Sequence, residues 1–212
     1  MKFLNDEEII TIPDQLEPLP IDQYPRVWGS SAYKRPNHMG FFEQTNDREP
    51  MTNIAHVFFG HYYIGDRKIW YQKSSEHYIR DKIRLYDIHE ARSEALAFGI
   101  EEWLMQAGLF DDRPRSREIN YVWQAFRNAR ALADLKMHSN EFSLKDGINF
   151  FSDNVPNNWA EKDDDAVWWD IEETLRAPGH STNYIVGKNM MHQLMMERSK
   201  QLGSDFTLKL FF

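Results

Sequence analysis

The pattern of apolar and polar positions divides the chain in two. Residues 1 to about 50 carry Pro13, Pro18, Pro20, Pro25, Pro36 and Pro50. Prolines at this density exclude long helices, because each removes a backbone donor and clashes with the preceding turn. The expectation there is an extended arm with few short strands. From about Ser75 the chain runs without a breaker to Gly108, which predicts one long helix, with Gly108 and Pro114 as stop signals. A second helix is predicted over Arg117 to His138. A third runs from Ser143, an N-cap matched by Asp146 three residues on, to about Asp153, and a fourth from about Ala166 to Ala177. Pro178-Gly179 breaks the chain, and a last long helix follows from His180 to Leu202, ended by Gly203. Glu161 to Asp165 reads as a solvated acidic loop. The predicted class is mainly α, a single domain over 1–212 made of an arm over 1–50 and a helical core over 51–212.

Composition narrows the function. A chain of 212 residues, 42% apolar and 14% aromatic, can bury one sizeable core. A net charge of -8 offers no basic patch for nucleic acid or an anionic membrane, so a small-molecule or peptide substrate fits better. With no cysteine, disulfides, thiolate metal sites and a cysteine nucleophile are excluded, and any metal must be held by imidazole and carboxylate. Eight histidines supply the imidazoles. No apolar run approaches the ~20 residues of a membrane span, and the start of the chain is not a signal-peptide core, which makes the cytoplasm the expected location. The terminal stretch Phe206 to Phe212 reads as a helix just beginning, with apolar groups that water would meet. A homo-oligomer, or a partner chain completing the fold, is expected on that ground.

Four constellations carry candidate chemistry. The segment Ser93 to Glu101 is apolar nearly all round, so Glu94 and Glu101, seven residues apart on one face, are buried carboxylates that need a cation, a metal or good donors. An arginine-paired structural glutamate serves as well as a metal ligand on burial alone. Around His56 and His61 the segment is strongly apolar, but a separation of five places the two rings roughly 140° apart on a regular helix. Only a bent segment brings both to one ion; otherwise they are core histidines with hydrogen-bonding partners. His180, Tyr184 and Lys188 follow at i, i+4 and i+8 on one face of the last helix. There an imidazole can bind a metal and a phenol can stabilise a developing oxyanion, or they are simply a helix-start residue and a core tyrosine. Arg127, Asp134 and His138, with Arg130 at the edge, form a polar stripe on the second helix. Asp134 is placed to orient His138, and a solvated face is the alternative.

Taken in order, these segments resemble the C-terminal half of a zinc-peptidase-like bacterial family, domain of unknown function 885. Phe59-Gly60-His61-Tyr62 resembles the family's PGHH, Glu94-Ala95-Leu96-Ala97-Phe98 its EGWALY helix, and Arg127 to Asp134 with His138 its arginine-rich helix. Ala177 to Lys188 resembles its APGQ helix, and Ile10 to Pro13 its TVP entry strand. The resemblance implies a helical metallopeptidase-like bundle, with His61 and Glu94 at metal-ligand positions. The family's HE pair, a ligand and a general base, is replaced by Ala55 and His56 in the ungapped match, or by His56 as ligand and Val57 in place of the base if one residue is deleted, and its PGQ has become Pro178-Gly179-His180. The metal set implied is His61, Glu94 and His180, with His56 as a fourth member. Tyr184 would stabilise charge, and His138 or Arg127 would contact substrate. The function implied is a divergent metal-dependent enzyme acting by hydrolysis or elimination at zinc. A non-haem iron enzyme using oxygen and a non-catalytic structural subunit are the alternatives.

Overall fold

A computed structural model describes residues 50–66 and 89–211, and among these the protein is helical, with no strand. The expected arm, and the part of the first long helix before His89, lie outside the described residues. A short α1 (Pro50–Asn53) leads into a π-helix, Ile54–Asp66. Then come α2 (His89–Gln106), α3 (Pro114–His138), α4 (Leu144–Asn154), α5 (Asp165–Arg176), α6 (His180–Leu202) and α7 (Leu208–Phe211).

The helix ends follow local chemistry. After α2, the Gly108 amide bonds to the Met105 carbonyl and the Leu109 amide to that of Leu104, the paired bonds of a Schellman stop. Pro114 lies past the end of α2 and also begins the next helix: it occupies the first turn of α3, where its missing amide hydrogen costs nothing, so α3 starts three residues before the predicted Arg117. Ser143 and Asp146 close a reciprocal capping box on α4. The acidic run from Glu161 is only partly a loop, since Asp164 caps α5 through the Ala166 amide and Asp165 opens its first turn.

Two apolar clusters organise the packing. One gathers Phe126, Phe151, Ile148 and Ile171 from α3, α4 and α5; the other gathers Ala55 and Phe59 of the π-helix with Leu96, Ile100 and Trp103 of α2 and Met191 and Met195 of α6. Leu208 of α7 packs on the second cluster, so part of the apolar C-terminal stretch is accounted for within the chain, while Leu210 is exposed. Where α6 crosses α2, the backbones approach so closely that a Cβ on Gly187 would lie 2.1 Å from the Ala91 carbonyl oxygen and 2.5 Å from the Ala95 Cβ. Substituting Gly187→Ala should therefore destabilise the protein by about 1–3 kcal/mol in urea unfolding, because neither contact is a flexible side-chain end. A change under about 0.5 kcal/mol would show that the crossing is looser. None of the described helices is long and apolar enough to cross a membrane.

Candidate metal centre

The π-helix decides the site. Its i to i+5 bonding brings residues five apart about one turn from each other on the same face, so His56 and His61, divergent on an α-helix, point the same way here. Gly60 lets this segment press onto α2: a Cβ there would fall 2.4 Å from the Ala97 Cα. The two imidazoles lie edge to face, centroids 4.9 Å apart, over the α2 face that carries Glu94 and Glu101.

Each ring is fixed from one side. Glu101, only 1% exposed, forms a two-pronged ion pair with Arg127 (Nη1–Oε2 2.9 Å, Nη2–Oε1 2.8 Å) and lies 2.6 Å from His56 Nδ1. Burial pushes the Glu101 carboxyl up, but the Arg127 charge and the His56 bond outweigh it, so it is an anion and can only accept. His56 Nδ1 must therefore carry the proton, which leaves Nε2 a lone pair. Burial first, then the Arg127 charge, hold His56 below the usual histidine range against the pull of Glu101 and Glu94, so the ring is neutral. His61 Nδ1 lies 3.0 Å from the Ser93 hydroxyl.

The other three atoms converge. His56 Nε2 is 3.2 Å from His61 Nε2, and Glu94 Oε2 is 3.3 Å from His61 Nε2 and 3.7 Å from His56 Nε2. Glu94 Oε2 is buried yet receives no well-aligned hydrogen bond. Burial raises the Glu94 carboxyl, but the neighbouring imidazoles of His61 and His56 and the Tyr184 hydroxyl outweigh it and bring it down to about 2. These three residues form a group able to hold a metal ion, with ligand atoms all within 4.8 Å of one another. Their side chains are 14%, 23% and 18% exposed, so the group is reachable from solvent.

Acid should weaken the fold through this cluster. His56 takes up its proton at lower pH in the folded protein than in the unfolded chain, so stability begins to fall below its ordinary value of 6.5. Glu94 contributes stability that is present above 4.5 and lost as pH falls toward about 2. The Tm of metal-free protein should decline steadily from about pH 7 to about pH 4; a flat Tm over that range would contradict a buried neutral His56.

The remaining predicted residues take other places. His180 opens α6 with its ring 5.5 Å from Tyr184, and it is not a member of the group within 4.8 Å. Its helix approaches Glu94 through Tyr184, one turn further on, whose hydroxyl helps to hold the Glu94 carboxyl down and whose own pKa is raised, chiefly by burial. Arg127 is engaged with Glu101. His138 Nδ1 lies 2.9 Å from Asp134 Oδ1, and Asp134 in turn accepts from the amides of Gly179 and Thr182, so this pair ties α3 to the start of α6. Lys188 pairs with Glu102 and donates to Gln124 at 2.6 Å, linking α6 to α2 and α3. Glu101 as the partner of His56 was missed at the sequence level, although its place one α2 face with Glu94 and the arginine stripe of α3 were both visible.

The model of a family described as bacterial proteins of unknown function, DUF885, matches residues 100–212, over half the chain. The chain belongs to this family. The matched segment holds Glu101, Arg127, Arg130 and Tyr184, whereas His56, His61 and Glu94 precede it. The family description names no activity. No curated protein and no solved structure matches the chain.

Proposed function

We propose that this member of the family binds one divalent transition ion, zinc by preference, through His56 Nε2, His61 Nε2 and Glu94 Oε2, and uses it for hydrolysis or elimination on a small or peptide-like substrate. One observation carries the reading. Two imidazole nitrogens and a carboxylate oxygen face one another at 3.2–3.7 Å with at most one proton, on His61, to share among them. Without that proton the three are all acceptors, and acceptors so placed repel unless a cation lies between them.

The spacing also bears on the ion. Ligands bound at 2.0–2.2 Å in a tetrahedron stand roughly 3.3–3.6 Å apart, whereas neighbouring ligands at a right angle, as on a six-coordinate iron, stand about 3.0 Å apart. The observed separations, 3.2, 3.3 and 3.7 Å, match the tetrahedral case better. Held by these three residues, zinc would supply Lewis acidity to a carbonyl or a water.

The chain's own groups prepare that chemistry. Glu101 and Arg127 fix the His56 tautomer, and Tyr184, held as a phenol by its raised pKa, keeps a donor at the Glu94 side. Ala55 and His56 stand where the resemblance places the ligand and general base, and Glu101 is committed to Arg127 and His56. The site thus keeps two imidazoles and one carboxylate as ligands and lacks the free carboxylate that serves a peptidase as general base. Chelator-treated protein should lose hydrolysis of a panel of small esters and dipeptides and regain it with added zinc. Hydrolysis indifferent to chelator, with metal shown to be removed, would overturn the enzymatic reading.

A further inference from the structure

Helix α3 offers no metal ligand, yet two of its guanidiniums reach the residues that do. Arg127 and Arg130 lie three positions apart on its buried face. Arg127 holds Glu101 by two short bonds, and Glu101 holds the His56 ring at 2.6 Å. Its guanidinium also stacks on Phe98 and Trp123, at 4.7 and 5.0 Å from the ring centroids. Arg130 is anchored by Asp170 of α5 at 2.8 Å and lies over the Tyr184 ring, 4.8 Å from its centroid. The Tyr184 hydroxyl in turn acts on the Glu94 carboxylate, which it helps to hold below the usual carboxylate range. Two buried chains of contacts thus leave one helix and end on two different members of the ligand group.

We infer that Arg127 and Arg130 are positioning residues for the metal ligands, Arg127 acting on His56 through Glu101 and Arg130, with Asp170 behind it, acting on Glu94 through Tyr184. The inference rests on the proposed metal site. A planar fork suits this task, because two parallel bonds fix the carboxylate in orientation as well as distance, and a stacked guanidinium stops the phenol ring from tilting. Ligand partners of this kind set the ring angle and basicity of the first ligand, and losing one lowers metal affinity by about 10–100-fold. Both arms start on α3, so the site's geometry depends on how α3 packs against α2 and α6, not only on the π-helix that carries the histidines.

The test is cobalt and zinc titration of the full chain and of three variants. Tyr184→Phe deletes one oxygen and keeps the ring; Arg127→Lys keeps the charge and loses the fork; Ser143→Ala removes the α4 cap and touches neither arm. Tyr184→Phe and Arg127→Lys should each bind zinc about 10-fold or more weakly and shift the visible cobalt bands. Ser143→Ala should lower the Tm while leaving both readings unchanged. If the unaltered chain binds zinc and both arm variants match it in affinity and cobalt spectrum, the positioning role is wrong and the site stands. If the unaltered chain binds neither ion, the metal site itself is wrong and the positioning role goes with it.

Discussion

Glu94→Gln should reduce zinc affinity by at least about 100-fold, more than any substitution outside the ligand group. Glu94 supplies the one anionic ligand in the set, and the amide that replaces it offers a neutral oxygen where the ion requires charge. Shape is kept, because glutamine is isosteric, and the Tyr184 hydroxyl still finds an acceptor. In the metal-free protein at pH 7 the same substitution should lower the Tm, since the neighbours that bring the Glu94 carboxyl down to about 2 favour its charged form over an uncharged group. A loss of zinc affinity beyond that fall in Tm separates a metal ligand from a structural carboxylate. Metal binding within about threefold of the unaltered chain would show that Glu94 is not a ligand.

Arg127→Met should destabilise the fold by about 3–5 kcal/mol, because it strands the buried Glu101 carboxylate with His56 as its sole remaining charged or polar neighbour among those described at that site. The methionine fills much of the volume against Phe98 and Trp123, so packing is a minor part of the loss. Combining it with Glu101→Gln should restore most of the stability, since the neutral amide no longer needs a cation and still accepts from His56 Nδ1. Urea unfolding of the two single variants and the double variant measures the coupling. A single Arg127→Met variant within about 1 kcal/mol of the unaltered chain would mean that water, not Arg127, solvates Glu101.

Much of the helical layout was legible from punctuation alone. The Ser143–Asp146 box, the Pro178-Gly179 break and Gly203 each act within a few residues, and α4 and α6 fall where they predict. The boundary between α2 and α3 lies at Gly108 and Pro114 as predicted, but the proline also opens α3, since its fixed φ suits a first helical turn as well as a stop. The ligand group was partly legible. His61 and Glu94 came from the resemblance, but His56 stood second to His180, because five-residue spacing was judged on α-helical geometry and a π-helix has no periodic signature of its own. Glu101 was recognisable as a buried charge in need of a partner, and Arg127 as part of a polar stripe. That they belong to each other is a contact 26 residues apart, which no local pattern encodes.

The central claim is one ion held by His56, His61 and Glu94, and X-ray absorption at the zinc edge of protein loaded to saturation tests it most directly. The expected result is about one zinc per chain with two imidazoles at about 2.0–2.1 Å and a carboxylate oxygen at about 2.0–2.2 Å, with one imidazole lost in His56→Ala and the oxygen lost in Glu94→Ala. A spectrum with fewer than two imidazoles, or one left unchanged by either substitution, would contradict it.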